Sequence, residues 1–150
     1  MVGAVMGKVG NTDELNLSRP DVVETIHRRY LEAGADIIET STFNCQRISQ
    51  ADYHLENEVG RMAYEAARIA RRLAGEYSKP EKPRFVAGSV GPTNKTLSMS
   101  PDVSDPSANE VTYDEMLEAY KEQMNGLIEG GVDALLIETI FDTLNAKCAV

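Results

Sequence analysis

The chain has 150 residues, 42% of them apolar and 26% charged, which is long enough to bury a core and too evenly composed for disorder. Its 24 acidic residues against 15 basic ones leave a net charge of -9, which argues against a broad nucleic-acid surface because phosphates would be repelled. No run nears the ~18 apolar residues that a bilayer span needs, and the opening "MVGAVMG" lacks the basic flank and length of a secretory leader, so a cytoplasmic protein without membrane contact is expected.

In chain order, a Gly-containing apolar start offers a possible first strand. Ser18, Pro20 and Asp21 mark a helix start, and Val22, Val23, Ile26, Tyr30 and Leu31 then recur at helical spacing until Gly34. "DIIET", residues 36–40, predicts a short strand buried on both faces. A second helix is expected over 55–74, with Val59, Met62, Ala63, Ala66, Ile69, Ala70 and Leu73 on one face and Glu58, Arg61, Glu65, Arg68 and Arg72 on the other. Glu65 and Arg68 can pair one turn apart, and Arg68, Arg71 and Arg72 read as a solvated helix face. His54 stands at the start of this helix and His27 at the edge of the first helix's stripe; neither has a triad partner, and both read as structural or surface residues.

"KPEKP" at 79–83 breaks the chain, and "RFVAGSV" at 84–90 is a strand that Gly91-Pro92 ends. The segment from Pro92 to Val111 has no period and far exceeds a usual connection, which suits a lid or a partner-docking element. Thr112 and Glu115 form a capping box for a third helix that should bury Leu117, Tyr120, Met124, Leu127 and Ile128, with Gly130 and Gly131 as its stop. "VDALLIET" at 132–139 is the next strand, and "LNAKCAV" starts a helical pattern that reaches Val150 without a cap or breaker. Cys45 and Cys148 are far apart and outside any Cys/His cluster, so they read as small buried side chains, not as a disulfide or a zinc site.

Strands alternating with helices of this length imply right-handed parallel crossovers and an α/β fold. A doubly wound sheet would carry a glycine-rich phosphate turn after its first strand, which "GAVMGK" does not supply. Half of an eight-stranded β/α barrel is the better expectation, because polar residues gather where the strands end. Glu39 and Glu138 both close a strand with Glu-Thr. Such a carboxylate can accept an ammonium group, act as a base, cap a helix or pair with an arginine. Thr40, Ser41, Thr42, Phe43 and Asn44 add hydroxyls, an amide and backbone N–H groups suited to a carboxylate ligand.

The stretches "EAGADIIETSTFN", "ADYHLENE", "KPRFVAGSVGPTNKTLSMSPDVSDP" and "TYDEMLEAYKEQMNGLIEGGVDALLIETIFDTLNAK" resemble the homocysteine S-methyltransferase family, in the form of the N-terminal homocysteine-binding domain of cobalamin-dependent methionine synthases. The block "GPTN…SPDV.DP" followed by "ETIFDTLNAK" favours that form over the betaine- and S-methylmethionine-dependent relatives. The resemblance implies a β/α barrel in which zinc, on three cysteines of the later strands, binds the homocysteine sulfur. It implies methylcobalamin as the methyl donor, presented by another domain, with a folate domain that remethylates the cobalamin. It further implies that Glu138 receives the amino group of homocysteine and that the backbone at Thr42, Phe43 and Asn44 receives its carboxylate.

Residues 1–150 are therefore expected to be a partial barrel domain truncated in its fourth β/α unit, inactive alone, binding no zinc or cobalamin itself, and prone to self-association through uncovered strands. The first strand is irregular, because the family's acidic residue before a Gly-Met-Gly-Thr-like turn is missing from "MVGAVMGKVGN". A non-catalytic amino-acid-binding or assembly module is the alternative reading.

Overall fold

A computed structural model describes residues 10–99 and 110–150. The expected first strand, and the middle of the 92–111 segment, lie outside the described residues. The elements run α1 (Leu15–Ser18), α2 (Pro20–Glu32), β1 (Ile37–Glu39), α3 (Arg47–Gln50), a 3-10 turn (Ala51–Tyr53), α4 (Val59–Tyr77), β2 (Phe85–Val90), α5 (Tyr113–Gly130), β3 (Ala134–Ile137) and α6 (Thr143–Ala149).

The strands form one parallel sheet in the order β1-β2-β3, with Glu39 opposite Ala87, Ala87 opposite Ala134 and Val90 opposite Ile137. Ile38 and Val86 turn toward the helices and pack with Val23, Leu31, Ile69 and Leu73. Farther along, Val90 joins Met62, Ala63 and Ala67 of α4 and Met116, Tyr120 and Leu127 of α5 in the larger core. The opposite face is open: Ile37, Phe85 and Leu136 are 59%, 45% and 36% exposed. A doubly wound sheet has helices on both faces, so this one-sided arrangement is an arc of β/α units of the barrel kind.

That open face corrects the expectation that "DIIET" is buried on both sides, since Ile38 is buried while Ile37 and Glu39 are exposed. The first helix also differs from its pattern. Ser18 belongs to α1, the cap position is Arg19 without a side-chain cap, and Pro20 opens α2. Its inward residues are Val23, His27 and Leu31, each four apart, whereas Ile26 and Tyr30 lie on the flank beside β1 and are 48% and 63% exposed. Helix α4 begins at Val59, not residue 55, because the chain first makes the 3-10 turn and sets His54 in the left-handed region at φ 56.

Thr112 and Glu115 form the expected reciprocal capping box, and Gly131, at φ 96, ends α5. Gly130 is still helical and faces inward with Met116, Ala119, Tyr120, Gln123, Gly126 and Leu127. Leu117 and Met124 are only half-buried and Ile128 is 57% exposed, so the α5 stripe is rotated from the expected one. The rotation lets Gly126 and Gly130 meet α4: a Cβ at Gly130 would lie 2.5 Å from the Ala67 Cβ and 2.6 Å from the Tyr64 carbonyl oxygen. Arg68, Arg71 and Arg72 do form a solvated face, paired with Glu65, Asp133, Glu24 and Glu76.

Candidate functional site

The strands end at different heights. Glu39 is level with Ala87 and Ala134, and Glu138 lies four residues beyond Ala134. At about 3.3 Å per residue that is roughly 13 Å along the strand direction, farther apart than a pair of carboxylates acting on one bond. Glu39 is also exposed. The structure therefore does not bring the two Glu-Thr endings into one acid-base pair.

It does bring the loop after β1 up to Glu138. Gly91 N–H donates to the Phe43 carbonyl at 3.1 Å and Glu138 N–H donates to the Val90 carbonyl at 3.0 Å, so Phe43 and Glu138 flank the same end of β2. Only glycine fits at 91, where a Cβ would run into the Phe43 carbonyl and ring. Four buried side-chain amides hold the loop. Asn16 Nδ2 donates to the Ser41 carbonyl (2.7 Å), Gln50 Nε2 to that of Asn44 (3.1 Å), Gln46 Nε2 to that of Pro92 (2.8 Å), and Gln123 Nε2 to those of Thr42 (2.7 Å) and Ser89 (3.1 Å). Each satisfies a carbonyl that a buried loop would otherwise strand.

The hydroxyls are ordered as well. Thr42 Oγ1–H donates to the Ser89 carbonyl at 2.8 Å, which uses its only proton. The 2.6 Å contact between Thr40 Oγ1 and Thr42 Oγ1 must then run from Thr40 to Thr42, while Thr40 Oγ1 accepts Ser89 N–H at 3.0 Å. Ser89 also donates its own hydroxyl to Glu138 Oε1 at 2.5 Å. Glu138 is half-buried, and the residue after it, Thr139, has φ 60. A β-branched residue in the left-handed region carries backbone strain of about 1–3 kcal/mol, as is common at functional sites.

Of the three backbone amides expected to face a ligand carboxylate, two have internal partners. Thr42 N–H donates to the Thr40 carbonyl at 3.0 Å, and Asn44 N–H faces the Asp13 carboxylate. Phe43 N–H is the one without an acceptor among the described residues. Asp13 is 3% exposed, and burial raises its pKa to about 7 against the opposing pull of the Asn44 amide. His27 is 5% exposed and its pKa is lowered by burial, which makes it a neutral core residue. His54 is exposed, away from any cluster.

The first part of the long segment docks beside the site. Ser98 N–H and Oγ–H donate to Asp142 at 2.8 and 2.9 Å, Leu97 N–H donates to Asn145 Oδ1 at 3.1 Å, and Asp142 also caps α6. Burial pulls the Asp142 pKa up, but amide bonds from Asn145, Ser98 and Leu144 outweigh it and leave the value lowered.

The described residues do not fit a zinc centre. Cys45 Sγ–H donates to the Val59 carbonyl at 3.7 Å inside the core, Cys148 Sγ–H to that of Tyr113 at 3.7 Å, and burial raises both thiol pKa values. No group of three potential metal ligands occurs among them. Nor is any described helix long and apolar enough to cross a membrane.

A one-sided parallel β/α sheet defines a β/α-unit protein, and Ser89, Phe43 and Glu138 lie together at the C-terminal end of its strands. The family described as homocysteine S-methyltransferase matches residues 4–150, and the chain belongs to that family. Among the solved structures that share the fold are two of the homocysteine methyltransferase MmuM from Escherichia coli. The metallated form superposes with a TM-score of 0.75 at 16% identity, over 98% of this chain and 53% of that one. The oxidized form gives 0.73 at 17% identity, over 98% and 52%. The chain thus spans about half the length of the solved structures it matches.

Ser89, Gln123, Asp13 and the amide side chains that hold the loop carry no pattern in the sequence that would place them there. The one available signal was Ser89 itself, a hydroxyl inside the apolar strand "RFVAGSV".

Proposed function

We propose that this chain is the homocysteine-holding part of a β/α-barrel methyltransferase. Glu138 accepts the homocysteine ammonium, and the loop Thr42, Phe43 and Asn44 receives its carboxylate, chiefly at Phe43 N–H. Glu39, lower on β1 and exposed, contributes at most to the field at the rim. The observation that carries this reading is the Ser89–Glu138 hydrogen bond beside the Phe43 loop, which sets an anion and an N–H donor without an acceptor among the described residues on the two sides of one strand end. An α-amino acid presents the complementary pair of charges.

The specific reaction follows from the sequence blocks that resemble the methionine synthase form: methyl transfer from methylcobalamin to homocysteine, giving methionine, with cobalamin and folate domains as partners. Zinc for the homocysteine sulfur would have to come from residues other than those described, since the two thiols belong to the core. No step at the sulfur is therefore assigned to this chain, which alone should transfer no methyl group.

Titration calorimetry with homocysteine tests the binding role. The wild-type chain should release heat with saturation, and Glu138→Gln should weaken binding by about tenfold or more, as expected for losing a hydrogen bond to a charged group. Equal binding by both proteins would remove Glu138 from the site. A non-catalytic amino-acid-binding or assembly module is the second reading, favoured by the core location of both cysteines. Binding without methyl transfer, when the chain is supplied with the rest of a barrel and methylcobalamin, would select it.

A further inference from the structure

Ser89 has a place in the site that the homocysteine reading alone does not require. It sits in the middle strand of the sheet, 2% exposed, and all of its polar groups are committed to site elements. Its N–H goes to Thr40 Oγ1, its carbonyl accepts from Thr42 Oγ1 and Gln123 Nε2, and its hydroxyl donates to Glu138 Oε1. The loop proposed to hold a carboxylate and the glutamate proposed to hold an amine are thereby joined through one residue.

The proton order gives that link a chemical consequence. The two threonine hydroxyls and the Ser89 backbone close a ring in which each donor has one acceptor, so the Ser89 backbone has no slack. A serine hydroxyl has one proton, and here it is spent on Oε1. As a donor it satisfies the carboxylate form of Glu138, and it leaves Oε2 to accept from a cation. Truncation to alanine would leave Glu138 free to rotate without removing its charge.

We propose that Ser89 is a positioning residue that aims Glu138 and thereby makes the site select ligands bearing a protonated amine over otherwise identical ligands without one. The inference rests on the homocysteine reading for the identity of the ligand, and on the hydrogen-bond geometry alone for the Ser89–Glu138 coupling.

The test compares homocysteine with 4-mercaptobutyrate, which lacks only the amino group, on wild type, Ser89→Ala, Ser89→Thr and Glu138→Gln. Wild type should prefer homocysteine. Ser89→Ala should reduce that preference by about tenfold, the scale of one hydrogen bond to a charged group, and Ser89→Thr, which keeps the hydroxyl, should restore it. A merely structural serine would weaken both ligands alike, so an equal loss, or an unchanged preference, overturns the proposal.

The carboxyl 13C resonance of Glu138, identified by its disappearance in Glu138→Gln, gives a readout that needs no ligand. It should move in Ser89→Ala and return toward wild type in Ser89→Thr, and an unmoved resonance overturns the coupling. If neither ligand binds wild type, or Glu138→Gln binds as well as wild type, the homocysteine reading fails separately and the resonance still decides the role of Ser89.

Discussion

Glu138 was visible in the sequence because an apolar strand that stops at a carboxylate is a local pattern. Its partner Ser89 was not, because it lies 49 residues away, and neither was Gln123, which holds the loop at Thr42 across 81 residues. The repeated Glu-Thr ending was also misleading. Thr40 is turned into the hydroxyl ring while Thr139 takes a left-handed backbone, so the same dipeptide does different work in the two units.

Asp13 is the clearest case of a residue with no local signal, and it sets a pH dependence. Its pKa is about 7 in the folded chain against an ordinary value of 3.8. The folded state therefore keeps a proton that the unfolded state has lost between those values, and stability falls as pH rises from about 4 to about 7. Asp13→Asn should remove that slope. By urea denaturation the variant should match wild type near pH 4 and exceed it at pH 8 by on the order of 1–3 kcal/mol. A wild type at least as stable as the variant at pH 8 would contradict the burial argument.

At the level of elements, the helix and strand periods predicted every described strand and the long helices, because each buries a patterned face. Boundaries shifted where turn chemistry intervened, at Arg19-Pro20 and at His54. The misread faces share one cause. A pattern shows which residues are apolar, whereas the structure shows which of them has a neighbour, and Ile26, Tyr30 and Ile37 lie where no described element covers them.

The contact between α4 and α5 makes an element-scale prediction. Alanine normally stabilises a helix relative to glycine by about 0.5–1 kcal/mol. Gly75→Ala in α4 should do so, because a Cβ there meets nothing within 4 Å. Gly130→Ala should instead destabilise by about 1–3 kcal/mol, because its methyl group would strike the α4 backbone. Thermal denaturation of the pair decides it, and two stabilised variants would mean that the helices are not packed this closely.

Across the whole molecule, the sheet is an arc with helices on one side and exposed Ile37, Phe85 and Leu136 on the other. Apolar surface on the open face of a parallel sheet favours association. The purified chain should form dimers or larger species whose population rises with concentration in sedimentation analysis. A stable monomer throughout the micromolar range would show that the arc is covered in another way. The fold class was legible because β/α alternation is a whole-chain pattern; the sidedness of the sheet was not, since a short apolar run looks alike whether one face or both are covered.

If one ligand bridges the two sides of the β2 end, an NMR titration of the labelled chain with homocysteine will report on both sides at once. The Phe43 amide and Glu138 carboxyl resonances should shift together and saturate at the same concentration. Saturating homocysteine that leaves both unmoved, or that moves only resonances away from this strand end, would mean that no ligand bridges Phe43 and Glu138.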